Sequence, residues 1–130
     1  MENVLKKIID KKKEKIKISK NKYTENKLFE DIKNINNFID FNNNIKRRNS
    51  EQKISIIAEI KKASPSAGEI VKNFNPLNIA KIYIENGASF LSVLTEEDFF
   101  LGKLDHIKNI KNNYEIPILC KDFFLDTYQV

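Results

Sequence analysis

Two charged residues, Glu59 and Lys61, follow an apolar, β-branched run that begins at Ile54. Such a run is typical of a strand buried on both faces, as in a parallel sheet. Side chains two positions apart in a strand point to the same side, so this carboxylate and ammonium should lie side by side. Because buried charges cost desolvation free energy, the pair indicates a candidate site. The alternative is a structural ion pair at a strand end.

A second lysine occupies the same kind of position. Lys121 ends the apolar run 116–120 and shares strand parity with Leu119 and Phe123. We therefore expect Lys121 to point into a pocket, where an ammonium suits a general acid, while Cys120 packs toward the helices. From the residues alone, a snorkelling surface lysine is an equal alternative.

Strands are predicted at about 54–61, 89–94 and 116–120, with a helix in each interval. Lys61 and Lys121 lie 60 positions apart, which matches two βα units of about 30 residues each. This alternation predicts parallel strands with right-handed crossovers and an α/β fold. The loops that leave the carboxyl ends of such strands commonly carry the chemistry, and the turn cluster 64–68 is the first of them.

Turn and cap residues delimit the two helices between the strands. Asn75 and Pro76 predict the start of the first helix, as N-cap and first helical residue, and Gly87 predicts its end. The second helix is predicted between Gly102 and the asparagines 112–113. Its inner face should carry three apolar residues, Leu104, Ile107 and Ile110.

The first 52 residues are predicted to be a helical extension. Amphipathic helices are expected at 2–17 and 25–40, the second with Thr24 as N-cap, and the polar stretch 42–52 is predicted to be a loop. Residues 1–22 carry a net charge of +6, against +5 for the whole chain. A basic segment can bind nucleic acid, but no aromatic residues interleave the lysines between Lys6 and Lys22, which favours a solvated helix face.

The composition indicates one modest globular domain of 130 residues with 41% hydrophobic and 32% charged residues. The single cysteine favours a reducing, cytoplasmic setting. No apolar run approaches the ~20 residues that span a bilayer, and no signal-peptide core follows the first methionine. We therefore expect no membrane partner.

Three motifs resemble those of the indole-3-glycerol phosphate synthase family, and they occur in the family's order. They are Glu-Ile-Lys-Lys-Ala-Ser-Pro-Ser at 59–66, Ser-Val-Leu-Thr-Glu at 92–96 with Phe100 and Gly102, and Pro-Ile-Leu-Cys-Lys-Asp-Phe at 117–123 running on to Tyr128-Gln129. The resemblance is good from about residue 56 to residue 130. It implies that residues 53–130 are the first three βα units of a (β/α)8 TIM barrel, preceded by the extension 1–52.

The resemblance also implies a lyase of tryptophan biosynthesis, a decarboxylase that closes the indole ring of an anthranilate-derived ribulose phosphate with loss of CO2 and water. Lys121 would be the general acid in ring closure, and Lys61 would bind the carboxylate, with Glu59 as its partner. Three further residues would bind substrate: Ser64, Phe100 and Phe123. No metal or organic cofactor is implied, and the expected partner is a phosphorylated small molecule rather than nucleic acid.

The family barrel is longer than this chain, since a (β/α)8 barrel typically takes about 250 residues. We therefore expect the 130 residues to be an inactive part of a longer protein that needs the remainder of the barrel, with a truncated, decaying gene as the alternative. Position 67 is Ala where many members carry Lys.

Proteins of three further kinds are compatible with parts of the sequence. A phosphoribosylanthranilate isomerase would fit less well, because it would not require Glu-x-Lys and Lys-Asp-Phe at these strand ends. A non-catalytic fragment and a basic nucleic-acid-binding module belong to different functional classes. Among the remaining polar residues, Cys120 is expected to pack, His106 to be exposed and Asp122 to cap a loop or helix.

Overall fold

The computed structural model describes residues 3–130. The chain divides into two compact units. One combines the N-terminal residues up to Phe38 with Phe123–Val130, and the other is Ile39–Asp122. No helix among residues 3–130 combines the length and the apolar character needed to cross a membrane.

Two helices and a 3-10 turn form the first unit: α1 (Val4–Lys22), α2 (Glu25–Ile32) and the 3-10 helix Thr127–Gln129. The Thr24 side chain accepts a hydrogen bond from the backbone N–H of Lys27, which confirms the predicted N-cap. Helix α1 is longer than predicted, and α2 stops at Ile32 rather than at residue 40. The asparagines at 34, 36 and 37 explain the early end, because their side chains compete with the helix for backbone hydrogen bonds.

A third helix, α3 (Phe41–Ser50), occupies the stretch that was predicted to be a loop, so that prediction is wrong. Asp40 caps it by accepting from the backbone N–H of Asn43 at 2.9 Å. The half-buried positions are 41, 44, 45 and 48, which is helical spacing. Two of those four positions hold Asn and Arg, so the apolar stripe that identifies a helix was missing from the sequence.

The second unit is built on a parallel sheet of β1 (Ile57–Ile60), β4 (Phe90–Leu94) and β5 (Ile118–Lys121), in the order β1-β4-β5. This arrangement confirms the predicted parallel strands. The register aligns Glu59 with Ser92 and Ser92 with Leu119. Helices α4 (Pro76–Glu85) and α5 (Leu104–Lys111) connect the strands. Glu59, Leu119 and Lys121 therefore share one face of the sheet.

The opposite face packs against helices and holds the core. The buried residues of this core come from both the strands and the helices: Ile60, Ala80, Leu91, Val93, Ile110 and Ile116. Among the three strands of this sheet, β4 alone is buried along its whole length. The prediction that the first strand is buried on both faces is wrong, because Ile57, on the same face as Glu59, is 48% exposed.

The predicted ends of α4 are confirmed. The Asn75 side chain accepts from the backbone N–H of Asn78 at 3.0 Å, Pro76 opens the helix, and Gly87 follows it with φ +93°. In α5, Ile110 is buried as predicted. Leu104 is 68% exposed, so its predicted place on the inner face is wrong.

His106 is half-buried, which corrects the expectation of an exposed residue. Its ring lies 5.5 Å from the ring of Phe74, and Nδ1 is buried with no hydrogen-bond partner among the described residues. Burial, and then the charge of Lys103, lower the pKa of His106 below its usual value. The neutral imidazole therefore acts here as a packing group.

Gly102 should be intolerant of any side chain. A Cβ at this position would meet the backbone carbonyl of Leu94 and would lie 2.8 Å from the Cα of Thr95. Because backbone atoms cannot rotate away, we expect Gly102→Ala to lower the free energy of unfolding by about 3 kcal/mol. Urea unfolding of the protein made from its native gene measures this change.

Gly87→Ala is the matched control. A Cβ there meets no atom within 4 Å, so only the positive φ opposes the substitution, at a cost of about 1 kcal/mol. Equal losses at the two glycines would contradict the close approach at Gly102.

Candidate active site

The centre of the site is one carboxylate shared by two lysines. Glu59 Oε1 lies 3.0 Å from Lys61 Nζ, and Glu59 Oε2 lies 2.6 Å from Lys121 Nζ. Glu59 is in β1, Lys61 follows that strand directly, and Lys121 is the last residue of β5. The structure therefore brings together three residues that are up to 62 positions apart.

The site is partly shielded from water. The side chains of Glu59 and Lys61 are 31% and 34% exposed, and that of Lys121 is 52% exposed. Burial alone would raise the pKa of Glu59, but the hydrogen bonds from Lys121 and Lys61 and their charges outweigh burial and lower it. Glu59 is thus an anion near neutral pH, and it holds two ammonium groups at the mouth of the sheet.

The loop after β1 is a small antiparallel hairpin, β2 (Ala63–Ser64) and β3 (Gly68–Glu69), which the sequence did not predict. The Ser64 hydroxyl accepts from the backbone N–H of Ala67 at 3.2 Å. Gly68 takes the positive φ, +65°, that the tight return requires. Lys62 Nζ lies 3.4 Å from Glu69 Oε1 and forms an ion pair across the hairpin. Ser64 therefore sits in an ordered loop that directly follows Lys61.

The loop after β4 is held by a buried acid that the sequence analysis missed. Glu96 is 2% exposed, and its carboxylate accepts backbone N–H groups from Asp98, Phe99 and Phe100 at 3.1, 2.7 and 3.0 Å. Its carbonyl also accepts from the N–H of Gly102 at 2.7 Å. These bonds fix the backbone of Phe100, a half-buried residue predicted to contact substrate. An acid two residues after a buried strand was the only available signal.

The Asp122 Oδ2 atom accepts from the Thr95 hydroxyl at 2.8 Å, so this residue connects the ends of β4 and β5. A capping role for Asp122 stays a prediction. Cys120 is half-buried and aligned with Val93 of the core, so it lies on the helix-facing side of the sheet as predicted. Phe123 belongs to the other unit, where it is half-buried and its carbonyl accepts from Gln129 Nε2 at 3.0 Å. A substrate-binding role for Phe123 stays a prediction.

Comparison with known proteins gives the family. A sequence model described as indole-3-glycerol phosphate synthase matches residues 5–130. The chain belongs to the indole-3-glycerol phosphate synthase family. The synthase-like motifs at 59–66, 92–96 and 117–123 all lie within the matched segment.

Individual relatives agree with this assignment. A protein of Aliarcobacter butzleri named indole-3-glycerol phosphate synthase is 43% identical over 127 residues, which cover 98% of this chain and 48% of the relative. One of the same name from Carboxydothermus hydrogenoformans is 39% identical over 129 residues, 97% of this chain and 49% of the relative. A third, from Prochlorococcus marinus, is 42% identical over 128 residues, 98% of this chain and 43% of the relative. The chain spans about half the length of these synthases.

The family assignment fits the architecture of the second unit. A parallel sheet of three strands with connecting helices is what three successive βα units of a synthase barrel would form. Glu59, Lys61 and Lys121 lie at the carboxyl ends of β1 and β5. In (β/α)8 barrels this end carries the catalytic groups.

Proposed function

We propose that the protein is an indole-3-glycerol phosphate synthase and that the cluster of Glu59, Lys61 and Lys121 is its catalytic centre. The observation that carries the proposal is the convergence of both lysines on the Glu59 carboxylate at one end of a parallel sheet. The substrate, 1-(2-carboxyphenylamino)-1-deoxyribulose 5-phosphate, carries a carboxylate and a phosphate. Two ammonium groups complement those charges.

Ring closure needs a proton on the ketone oxygen. The aromatic carbon that bears the carboxylate forms a bond to the ketone carbon, and the Lys121 ammonium gives its proton to the oxygen as negative charge develops there. The bond to the carboxyl group then breaks, CO2 leaves, and its electron pair restores the aromatic ring. The new hydroxyl and a hydrogen of the adjacent CH2 group then leave together as water, which forms the last double bond of the indole.

Lys61 and Glu59 serve the other steps. Lys61 binds the substrate carboxylate and, with Glu59 at 3.0 Å, assists the departure of water. Glu59 also holds Lys121 in place at 2.6 Å before substrate arrives, and so preorganises the proton donor. When substrate binds, both lysines can exchange the Glu59 carboxylate for substrate oxygens.

Three further residues are proposed to hold the substrate. Ser64 places it from the hairpin after β1, and Phe100 and Phe123 supply apolar walls for the aromatic ring. The reaction proposed here uses no metal or organic cofactor. We propose a phosphorylated small molecule, and not nucleic acid or a membrane, as the partner of the site.

The basic helix does not favour the nucleic-acid alternative. Lys20 lies 2.8 Å from Asp126 and 3.4 Å from Glu25, so that ammonium is engaged within the first unit. Lys6 pairs with Asp10 at 2.7 Å, and Lys11 lies 3.8 Å from Glu14. These contacts give several of the lysines a role within the fold.

Formation of indole-3-glycerol phosphate tests the proposal. The assay uses the protein made from its native gene, with its intact mass measured, because the curated synthases are about twice as long as this chain. We expect turnover from a species of about twice 15.2 kDa. Turnover from a 15.2 kDa species would show that the 130 residues suffice, and no turnover from the longer species would contradict the proposed function.

A further inference from the structure

We propose that Thr95 is a positioning residue that holds Lys121 against Glu59. This inference rests on the proposed function of Lys121. Thr95 directly follows β4, the central strand, and is 2% exposed. It is therefore anchored in the most buried part of the sheet, next to the end of β5.

The contacts of Thr95 are concentrated on three consecutive residues. Its backbone N–H donates to the carbonyl of Lys121 at 3.0 Å. Its hydroxyl lies 2.8 Å from Asp122 Oδ2 and 3.5 Å from Cys120 Sγ. Since a hydroxyl has one proton, the short contact identifies Asp122 as its acceptor. Thr95 thus bonds to the backbone of Lys121 and contacts the side chains of the residues on either side of it.

These contacts of Thr95 matter because Lys121 is the last residue of its strand. Beyond a strand end the ladder no longer fixes the backbone, so the direction of the Lys121 side chain depends on other bonds. The Thr95 hydroxyl supplies one by holding Asp122, the residue immediately after the lysine. A displacement of about 1 Å at a reacting group can cost about 100-fold in rate, so even partial loosening should be measurable.

The test compares two substitutions of Thr95 in the protein made from its native gene. Thr95→Val keeps the side-chain shape and the backbone N–H but removes the hydroxyl, and Thr95→Ser keeps the hydroxyl. We expect Thr95→Val to lower kcat about 10-fold with little change in KM, and Thr95→Ser to restore kcat.

A readout that does not need turnover separates this inference from the proposed function. Labelling of the Lys121 amine by an amine-reactive reagent, followed by peptide mass spectrometry, should be faster in Thr95→Val than in the wild type and unchanged in Thr95→Ser. Absent turnover in the wild type would overturn the proposed function, whereas the labelling would still report whether Thr95 restrains Lys121. Equal labelling and equal kcat in Thr95→Val and the wild type would overturn the inference.

Asp122→Ala guards against a Thr95 variant that does not fold. This substitution removes the acceptor of the same hydrogen bond. Asp122 is only half-buried, so its truncation should be better tolerated than a change at the buried Thr95. We expect the same rise in Lys121 labelling and the same loss of kcat. Asp105→Ala, an exposed acid in α5, is the matched control and should behave like the wild type. Wild-type labelling and kcat in Asp122→Ala would contradict the inference that the Thr95 to Asp122 hydrogen bond positions Lys121.

Discussion

Replacing Lys121 by alanine is expected to lower kcat by a factor of about 10² to 10⁴, the range in which a positioned proton donor contributes to rate. The structure gives the reason, since Lys121 Nζ lies 2.6 Å from a carboxylate at the carboxyl end of the sheet. Steady-state formation of indole-3-glycerol phosphate measures the loss. The fold should persist, because the side chain is about half exposed and anchors no part of the core.

Two further substitutions separate the proton from the charge. Lys121→Arg keeps a positive charge, but a guanidinium does not release a proton near neutral pH, so we expect it to be nearly as impaired as Lys121→Ala. Lys81→Ala removes an exposed lysine of α4 and should leave kcat unchanged. Activity of Lys121→Arg close to that of the wild type would show that charge alone is needed and would remove the general-acid role.

Replacing Glu59 by glutamine is expected to lower kcat by a factor of about 10², because both lysines lose the carboxylate that orients them. The affinity for substrate should not fall, because the substrate is anionic and the substitution removes a negative charge that would repel it. The measurement is the separate determination of kcat and KM. Glu69→Gln is the matched control, because Glu69 pairs with Lys62 in the neighbouring hairpin and lies outside the cluster.

The pH dependence of Glu59 has a definite sign. Its pKa is lowered below 4.5, so the shared ion pairs are complete above pH 4.5 and are lost only as the pH falls through the lower, folded-state value. Glu59 should therefore cause no loss of kcat between pH 4.5 and neutrality. A kcat that falls within that range because Glu59 takes up a proton, or an unchanged kcat in Glu59→Gln, would each contradict its role.

Residue patterns predicted part of the central geometry, the neighbouring positions of Glu59 and Lys61, because strand periodicity is a local property. Glu59 and Lys61 lie together since they are two apart at a strand end, and Lys121 joins them since parallel strands end at one edge. The caps at Thr24 and Asn75 were found for the same reason. Each cap depends on a few residues adjacent in the sequence, so the residue types alone predict it.

The features that sequence did not predict depend on tertiary contacts. Helix α3 uses Asn44 and Arg48 on its half-buried side, so it lacks the apolar stripe. Glu96 is a buried carboxylate compensated by backbone N–H groups, which no side-chain pattern reports. The Thr95 to Asp122 bond joins residues 27 positions apart, and its existence depends on the register of β4 and β5. Glu96 and the Thr95 to Asp122 bond order the chain beside the site rather than form it.

Binding of an unreactive substrate analogue tests the central claim most directly. In this analogue the ketone is reduced to an alcohol, so ring closure is blocked while the carboxylate and phosphate are kept. A crystal structure of the protein made from its native gene is expected to show the alcohol oxygen within hydrogen-bond distance of Lys121 Nζ and the carboxylate beside Lys61. An analogue bound away from Glu59, Lys61 and Lys121 would contradict the assignment of this cluster as the catalytic centre.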